Sequence, residues 1–102
     1  MDDFNIESID DVIHGRLRLG VMAYLSTAGS AEFTLLKTRL QASDGNLSVQ
    51  LRKLEEAGYV SIDKAFVGKK PQTSVTLTPD GRKAYIAYLD AMKKLIEDAG
   101  LT

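Results

Sequence analysis

The chain has 102 residues, 44% of them hydrophobic, and no cysteine. That is enough for one domain over residues 1–102, and it excludes disulfides and thiolate metal sites. The net charge is −1, no apolar run approaches the ~18 residues of a membrane span, and the acidic N-terminus does not resemble a signal peptide, so no membrane is expected and the cytoplasm is the expected location.

Residues 1–7 are polar and are expected to fray. Ser8-Ile9-Asp10-Asp11 reads as a capped helix start, with Ser8 as N-cap and negative charge on the first turn. Leu17, Val21, Met22 and Leu25 continue as a helical stripe. The first helix is therefore expected over about 8–27, broken or kinked at Gly15 and ended by Ala28-Gly29-Ser30. Thr34 reads as the cap of a short second helix over about 34–41, with Leu36 and Leu40 on one face. The turn Ala42-Ser43-Asp44-Gly45 leads into a third helix. Leu47, Leu51 and Leu54 form its inner stripe, and Gly58 after Ala57 is its left-handed stop.

Residues 59–66 contain a run of alternating apolar and polar positions, which predicts a half-buried strand. Val67 to Pro71 is punctuated as a turn, and Thr73 to Leu77 alternates again. Thr78-Pro79-Asp80 starts a last helix: threonine caps, proline fits the first position because its N–H would be unpaired there anyway, and aspartate complements the dipole. That helix is expected over about 79–99. The order of elements is mainly α with a small β-hairpin (α+β), a helix-turn-helix over about 34–57 followed by a wing over about 59–78.

The charges are unevenly spread. Residues 1–36 carry two basic and six acidic groups, residues 37–70 seven basic and four acidic, and residues 71–102 four of each. The positive excess falls on the helix-turn-helix and wing, as a surface facing phosphate requires. With the leucines inward, the third helix presents Asn46, Val49, Arg52 and Lys53, with Ser48 and Gln50 on its flanks. Asparagine and glutamine can read adenine, serine is a versatile partner and valine can touch a thymine methyl. Arg52 and Lys53, a turn further on, suit phosphates. Lys69 and Lys70 at the hairpin tip suit phosphate or the minor groove. Thr34 offers a hydroxyl and helix N-terminal N–H groups to a phosphate, Ser43 stands at the start of the same surface, and Asp44 opposes phosphate unless it caps the third helix.

The last helix carries Tyr85, Leu89, Met92 and Ile96 at spacings of four, three and four, with Tyr88 and Leu95 widening the stripe. Part of it can seal the core and the rest is available to a partner helix. The first helix, with Phe4, Ile6 and Ile9 near it, is expected to join in a homodimer.

The run from Ser43 to Val60, Asn-Leu-Ser-x-x-Leu-x-x-Leu-Glu-x-x-Gly-Tyr-Val at its centre, resembles the recognition helix of the MarR and ArsR classes of winged-helix transcription regulators. Leu77-Thr78-Pro79-Asp80-Gly81-Arg82 resembles the start of the helix after the wing in MarR-like proteins, and Ile13 to Leu19 is similar to the opening helix of ArsR-like regulators. Phe66-Val67-Gly68-Lys69-Lys70-Pro71 resembles the wing tip of small stand-alone winged-helix proteins. The resemblance spans about residues 9–95. It implies a homodimer bound to a pseudo-palindromic stretch of double-stranded DNA, usually as a repressor, with Asn46, Ser48, Val49 and Gln50 at the groove and Lys69 and Lys70 as the wing contact. The cysteine-rich metal-sensing motif of ArsR sensors is absent, and so are the long terminal helices of full-length MarR proteins. No metal or cofactor is implied, and a small-molecule effector stays open.

Catalysis finds little support. Ser61-Ile62-Asp63-Lys64 spells Ser-x-x-Lys, but in a strand the two side chains point to opposite faces. His14 is the only histidine, and no glycine-rich phosphate loop occurs. The alternative to a DNA-binding regulator is a winged helix used as a protein-interaction module, suggested by the net negative charge and the wide stripe on the last helix.

Overall fold

The computed structural model describes residues 5–100, so Phe4 lies outside the described residues. The elements run α1 (Arg16–Ala28), β1 (Ser30–Glu32), α2 (Phe33–Leu40), α3 (Asp44–Glu56), β2 (Val60–Val67), β3 (Lys70–Leu77) and α4 (Pro79–Asp98), with a single 3-10 turn at Ile6–Ser8 in front. The expected fold class holds: helices on a small antiparallel sheet. The sheet has three strands in the order β1-β3-β2. β1 has no counterpart among the elements expected from sequence. It is three residues long and pairs Ser30 to Thr76, Ala31 to Val75 and Glu32 to Ser74.

The first helix begins later than expected. Ser8 does not cap a helix; its hydroxyl donates to the Asn5 carbonyl at 2.7 Å. Asp10 does the local capping instead, its Oδ1 accepting the Val12 and Ile13 N–H groups at 2.8 and 3.3 Å. This folds residues 10–13 into a turn, and the chain passes through an extended Gly15 before α1 starts at Arg16. The second helix also starts one residue early, at Phe33 after Glu32, so Thr34 lies inside its first turn and is not its cap. The turn before α3 is tighter than predicted. Gln41 takes the left-handed conformation (φ 53°), Ser43 accepts the Asn46 N–H on its hydroxyl at 3.2 Å, and Asp44 and Gly45 are already helical.

The end of α3 follows the sequence closely. Gly58 has φ +82°, its N–H reaches the Glu55 carbonyl at 2.9 Å, and the Tyr59 N–H reaches the Leu54 carbonyl at 3.0 Å. This is a Schellman motif, which satisfies carbonyls left over at the helix end. Thr78 caps α4 through the Gly81 N–H at 2.9 Å, and its own hydroxyl donates to the Gly58 carbonyl at 2.6 Å. One threonine thus ties the start of α4 to the end of α3.

The core lies among α1, α2, α3 and the base of the sheet. Val21, Met22, Leu25, Leu36, Leu47, Leu54 and Val75 are fully buried there, with Ile13 from the N-terminal turn. Burying each such side chain stabilises the fold by about 1.5–3 kcal/mol relative to leaving it exposed. The leucine stripe of α3 therefore fixes which face of that helix looks outward. A second clamp holds the N-terminal segment: the Tyr59 hydroxyl donates to Asp10 Oδ2 at 2.5 Å. That bond, with burial and the Asp10 charge, pushes the Tyr59 phenol up to about 12.

Candidate nucleic-acid interface

The outward arc of α3 follows from its 3.6-residue period once Leu47, Leu51 and Leu54 are buried. Asn46, Ser48, Val49, Arg52 and Lys53 are all exposed, while Gln50 is half-buried. The arc has two flanks. Ser48, Arg52 and Glu55 face the hairpin, where they line an open cleft of about 680 Å³ together with Ile62, Lys64 and Thr73 of β2 and β3. Asn46, Gln50 and Lys53 lie toward α1. Val49, 49% exposed, sits between the flanks.

Gln50 is not the free reader its sequence position suggests. Its Oε1 accepts a hydrogen bond from Arg18 Nη1 on α1, and its Nε2 donates to Asn46 Oδ1 at 3.1 Å. Arg18 is itself held by Nε donating to the Val12 carbonyl at 2.5 Å. Ser43 spends its hydroxyl as a helix cap. Asp44 is not that cap. It pairs instead with Lys37 of α2 at 2.9 Å on an exposed surface, so its charge is partly offset before any phosphate approaches. Thr34 is exposed in the first turn of α2, so its N–H still belongs to the donors a helix start leaves unpaired.

The wing is longer and its tip tighter than the punctuation of the sequence predicts. β2 and β3 pair from Val60–Leu77 out to Val67–Lys70, leaving a two-residue loop, Gly68-Lys69. Gly68 has φ +68° and Lys69 is not in the positive-φ region, the pattern of a type II′ turn whose twist matches the strands. Pro71 is tolerated inside β3 because β1 pairs only with Ser74–Thr76, so the missing N–H breaks no ladder on that side. Cross-strand pairs Ile62–Val75, Lys64–Thr73 and Phe66–Pro71 share the face that begins in the core. Lys64 and Phe66 thereby join Lys69 and Lys70 on the outer hairpin. Phe66 is 75% exposed and Val67 62%. Neither Lys64 nor Phe66 is among the candidates drawn from sequence, although the period-2 alternation beyond Ile62 carries that signal.

α4 divides its apolar residues between two directions. Tyr88 is buried within its own chain, with its hydroxyl 2.8 Å from His14 Nδ1, and burial raises its pKa above the usual phenol value, the neighbouring Tyr85 adding to the effect. Tyr85, Met92 and Leu95 are half-buried against the core. Leu89 and Ile96 are exposed, and so is Ile86, which lies outside the stripe expected from sequence and extends their row one turn toward the N-terminus. No group of three or more His, Cys, Asp or Glu side chains able to hold a metal occurs among the described residues, and no helix there is long and apolar enough to cross a membrane.

Comparisons with known proteins bear on this surface. The sequence profile of the winged helix DNA-binding domain matches residues 17–96. An uncharacterized protein of Methanocaldococcus jannaschii is 33% identical over 78 residues, covering 76% of this chain and 85% of that protein. The solved structure of a transcriptional regulator homologue from Pyrococcus horikoshii OT3 superposes with a TM-score of 0.81 at 28% identity, covering 86% of this chain and 87% of that chain. Reduced AbfR bound to DNA shares the fold with a TM-score of 0.69 at 24% identity, over 78% of this chain and 57% of that chain; AbfR is a protein of Staphylococcus epidermidis. The family matched over residues 17–96 and the fold shared with these structures are those of a winged helix DNA-binding domain.

Proposed function

The chain belongs to the winged helix DNA-binding family, and on that premise we propose that it is a cytoplasmic, homodimeric, sequence-specific repressor of transcription. One observation carries the reading: Asn46, Ser48 and Val49 are exposed at the start of α3, beside a hairpin that carries Lys64, Lys69 and Lys70 across an open cleft. In a helix-turn-helix the N-terminal part of the second helix meets base edges in the major groove. The hairpin lysines then lie where backbone phosphate or the adjacent minor groove would be. Arg52 and Lys53, one turn further along α3, suit the phosphates that flank the groove. The DNA-bound state of AbfR, a protein of the same fold, supports the choice of partner.

The dimer rests on α4. Ile86, Leu89 and Ile96 form an exposed apolar row at spacings of three and seven, the repeat of a helix-helix seam. A two-fold dimer presents two copies of α3, and such proteins bind half-sites one helical turn, about 34–36 Å, apart or a multiple of it. Hydroxyl-radical footprinting of a bound duplex tests both parts together. The expected result is two protected tracts related by two-fold symmetry, one or two helical turns apart. A single protected tract at saturating protein would remove the dimer, and no protection at low salt would remove the DNA reading.

A further inference from the structure

Arg18, Gln50 and Asn46 form a hydrogen-bonded chain that runs from α1 onto the face of α3. Its direction is forced by chemistry. Arginine has five N–H donors and no acceptor, so the Gln50 atom beside Arg18 must be the carbonyl oxygen. The Gln50 amide nitrogen is then the atom left for Asn46, and a nitrogen that donates requires the Asn46 oxygen. Asn46 is exposed, and the bond to Gln50 uses its oxygen, which leaves the two N–H donors of its Nδ2 outside the chain of bonds.

The seat of Arg18 is built. Its guanidinium donates to the Val12 carbonyl and lies so close over Gly15 that a Cβ there would sit 2.6 Å from Nη2 and 2.7 Å from Cζ. Gly15 has an extended backbone, φ −133° and ψ 139°, open to any residue, so its lack of a side chain serves the close approach of the guanidinium.

We infer that Arg18 is a positioning residue that turns the Asn46 oxygen toward Gln50 and leaves its Nδ2 as the group that reads, so that the base edge it selects is one rich in acceptors. This rests on the reading of α3 as the helix in the major groove. A free asparagine amide matches adenine, which offers one acceptor and one donor. Guanine offers two acceptors, N7 and O6, whereas cytosine offers a donor. The tethered Asn46 therefore favours guanine over adenine and disfavours cytosine. Gln50 acts through Asn46 and does not itself touch a base.

The test reverses the chain. In Gln50→Glu the carboxylate still accepts from Arg18 but has no hydrogen to give, so Asn46 must turn its Nδ2 inward and its oxygen outward. Duplexes selected from a randomised pool by the wild-type protein, Asn46→Ala and Gln50→Glu are sequenced at one salt concentration. Asn46→Ala identifies the position that Asn46 reads. At that position the wild type should favour guanine, and Gln50→Glu should swing the preference roughly tenfold toward the donor-bearing edges of cytosine or adenine. Guanine retained in Gln50→Glu would overturn the inference while leaving DNA binding intact. If Asn46→Ala changed no position, Asn46 would read no base and the inference would fail, whereas a wild type that selected no sequence at all would remove the assignment of α3 to the groove.

A second measurement needs no DNA. Side-chain amide exchange followed by NMR should show the Gln50 amide protected and the Asn46 amide open in the wild type, and the Asn46 amide protected in Gln50→Glu. Two equally open amides in the wild type would overturn the chain directly.

Discussion

Replacing Gly81 by alanine should destabilise this protein, although alanine is the better helix former. Gly81 is buried in the first turn of α4, and a Cβ added there would lie 2.0 Å from the Tyr59 carbonyl oxygen and 2.9 Å from Leu77 Cδ1. The obstacle is backbone and cannot swing aside, so the start of α4 must retreat by about 1 Å for the contact to reach the 3.0 Å below which Cβ atoms are essentially never found. That movement pulls on the bond from the Thr78 N–H to the Tyr59 carbonyl at 3.1 Å and on the one from the Thr78 hydroxyl to the Gly58 carbonyl at 2.6 Å. Overpacking of this kind costs about 1–3 kcal/mol, and each strained hydrogen bond about 1 kcal/mol when broken. Alanine returns about 0.5–1 kcal/mol of helix propensity. The net loss is about 2 kcal/mol, which lowers the Tm by roughly 8–16 °C in a domain of this size. Gly45, in the first turn of α3, is the control. A Cβ there meets nothing within 4 Å, so Gly45→Ala should stabilise by a few tenths to about 1 kcal/mol. Urea unfolding followed by circular dichroism, at equal protein concentration because a dimer's stability depends on it, reads both signs. Gly81→Ala at or above wild-type stability would refute the close approach of α4 to the Tyr59 carbonyl.

Other outcomes follow from the same geometry. Lys69→Ala with Lys70→Ala should weaken binding to all duplexes alike and flatten the log–log salt dependence by about 0.9 for each phosphate that is no longer neutralised; a change in sequence preference instead would place the wing on base edges. Leu89→Glu puts a charge in the exposed row of α4 without touching the core, so sedimentation should show monomer with unchanged helicity, and an unaltered dimer would move the interface elsewhere. Tyr59 is held neutral by Asp10, with its phenol at about 12 against the ordinary 10. A raised folded-state value means that its contribution to stability is complete below pH 10 and is lost as the pH climbs from 10 through 12. Absorbance titration should show a late-ionising tyrosine that Tyr59→Phe removes, and an unchanged profile in that variant would contradict the Asp10 bond. Ser43→Ala should cost about 1 kcal/mol through loss of the α3 cap, measurable by the same urea unfolding.

The parts of the fold that the sequence discloses are those whose signals are local. Leu47, Leu51 and Leu54 repeat at helical spacing and Gly58 ends the run a few residues later, so α3 and its outward arc can be read directly. Thr78-Pro79 likewise marks the start of α4 by residue chemistry alone. β1 is illegible for the opposite reason. Three residues carry no period, and Ser30–Glu32 becomes a strand only because β3, more than 40 residues later, lies beside it. At the N-terminus two capping signals compete within three residues, and Asp10 wins over Ser8 because Tyr59 from far along the chain holds its other oxygen. The site divides in the same way. The exposure of Asn46, Ser48 and Val49 follows from the leucine stripe, whereas the occupation of Gln50 depends on Arg18, 32 residues away on another helix. The split of α4 into a buried Tyr88 and an exposed Ile86, Leu89 and Ile96 depends on where α1 and His14 lie. A single apolar stripe on one helix does not disclose that.

On the proposed function, α3 and the wing read a particular DNA sequence. Fluorescence anisotropy against DNA from upstream of the protein's own gene and a scrambled duplex of equal composition, each at two salt concentrations, tests it most directly. Tighter binding to the upstream duplex, weakening steeply with salt for both, is the predicted result. No binding to either duplex at low salt would overturn the reading of this surface as a DNA-binding one.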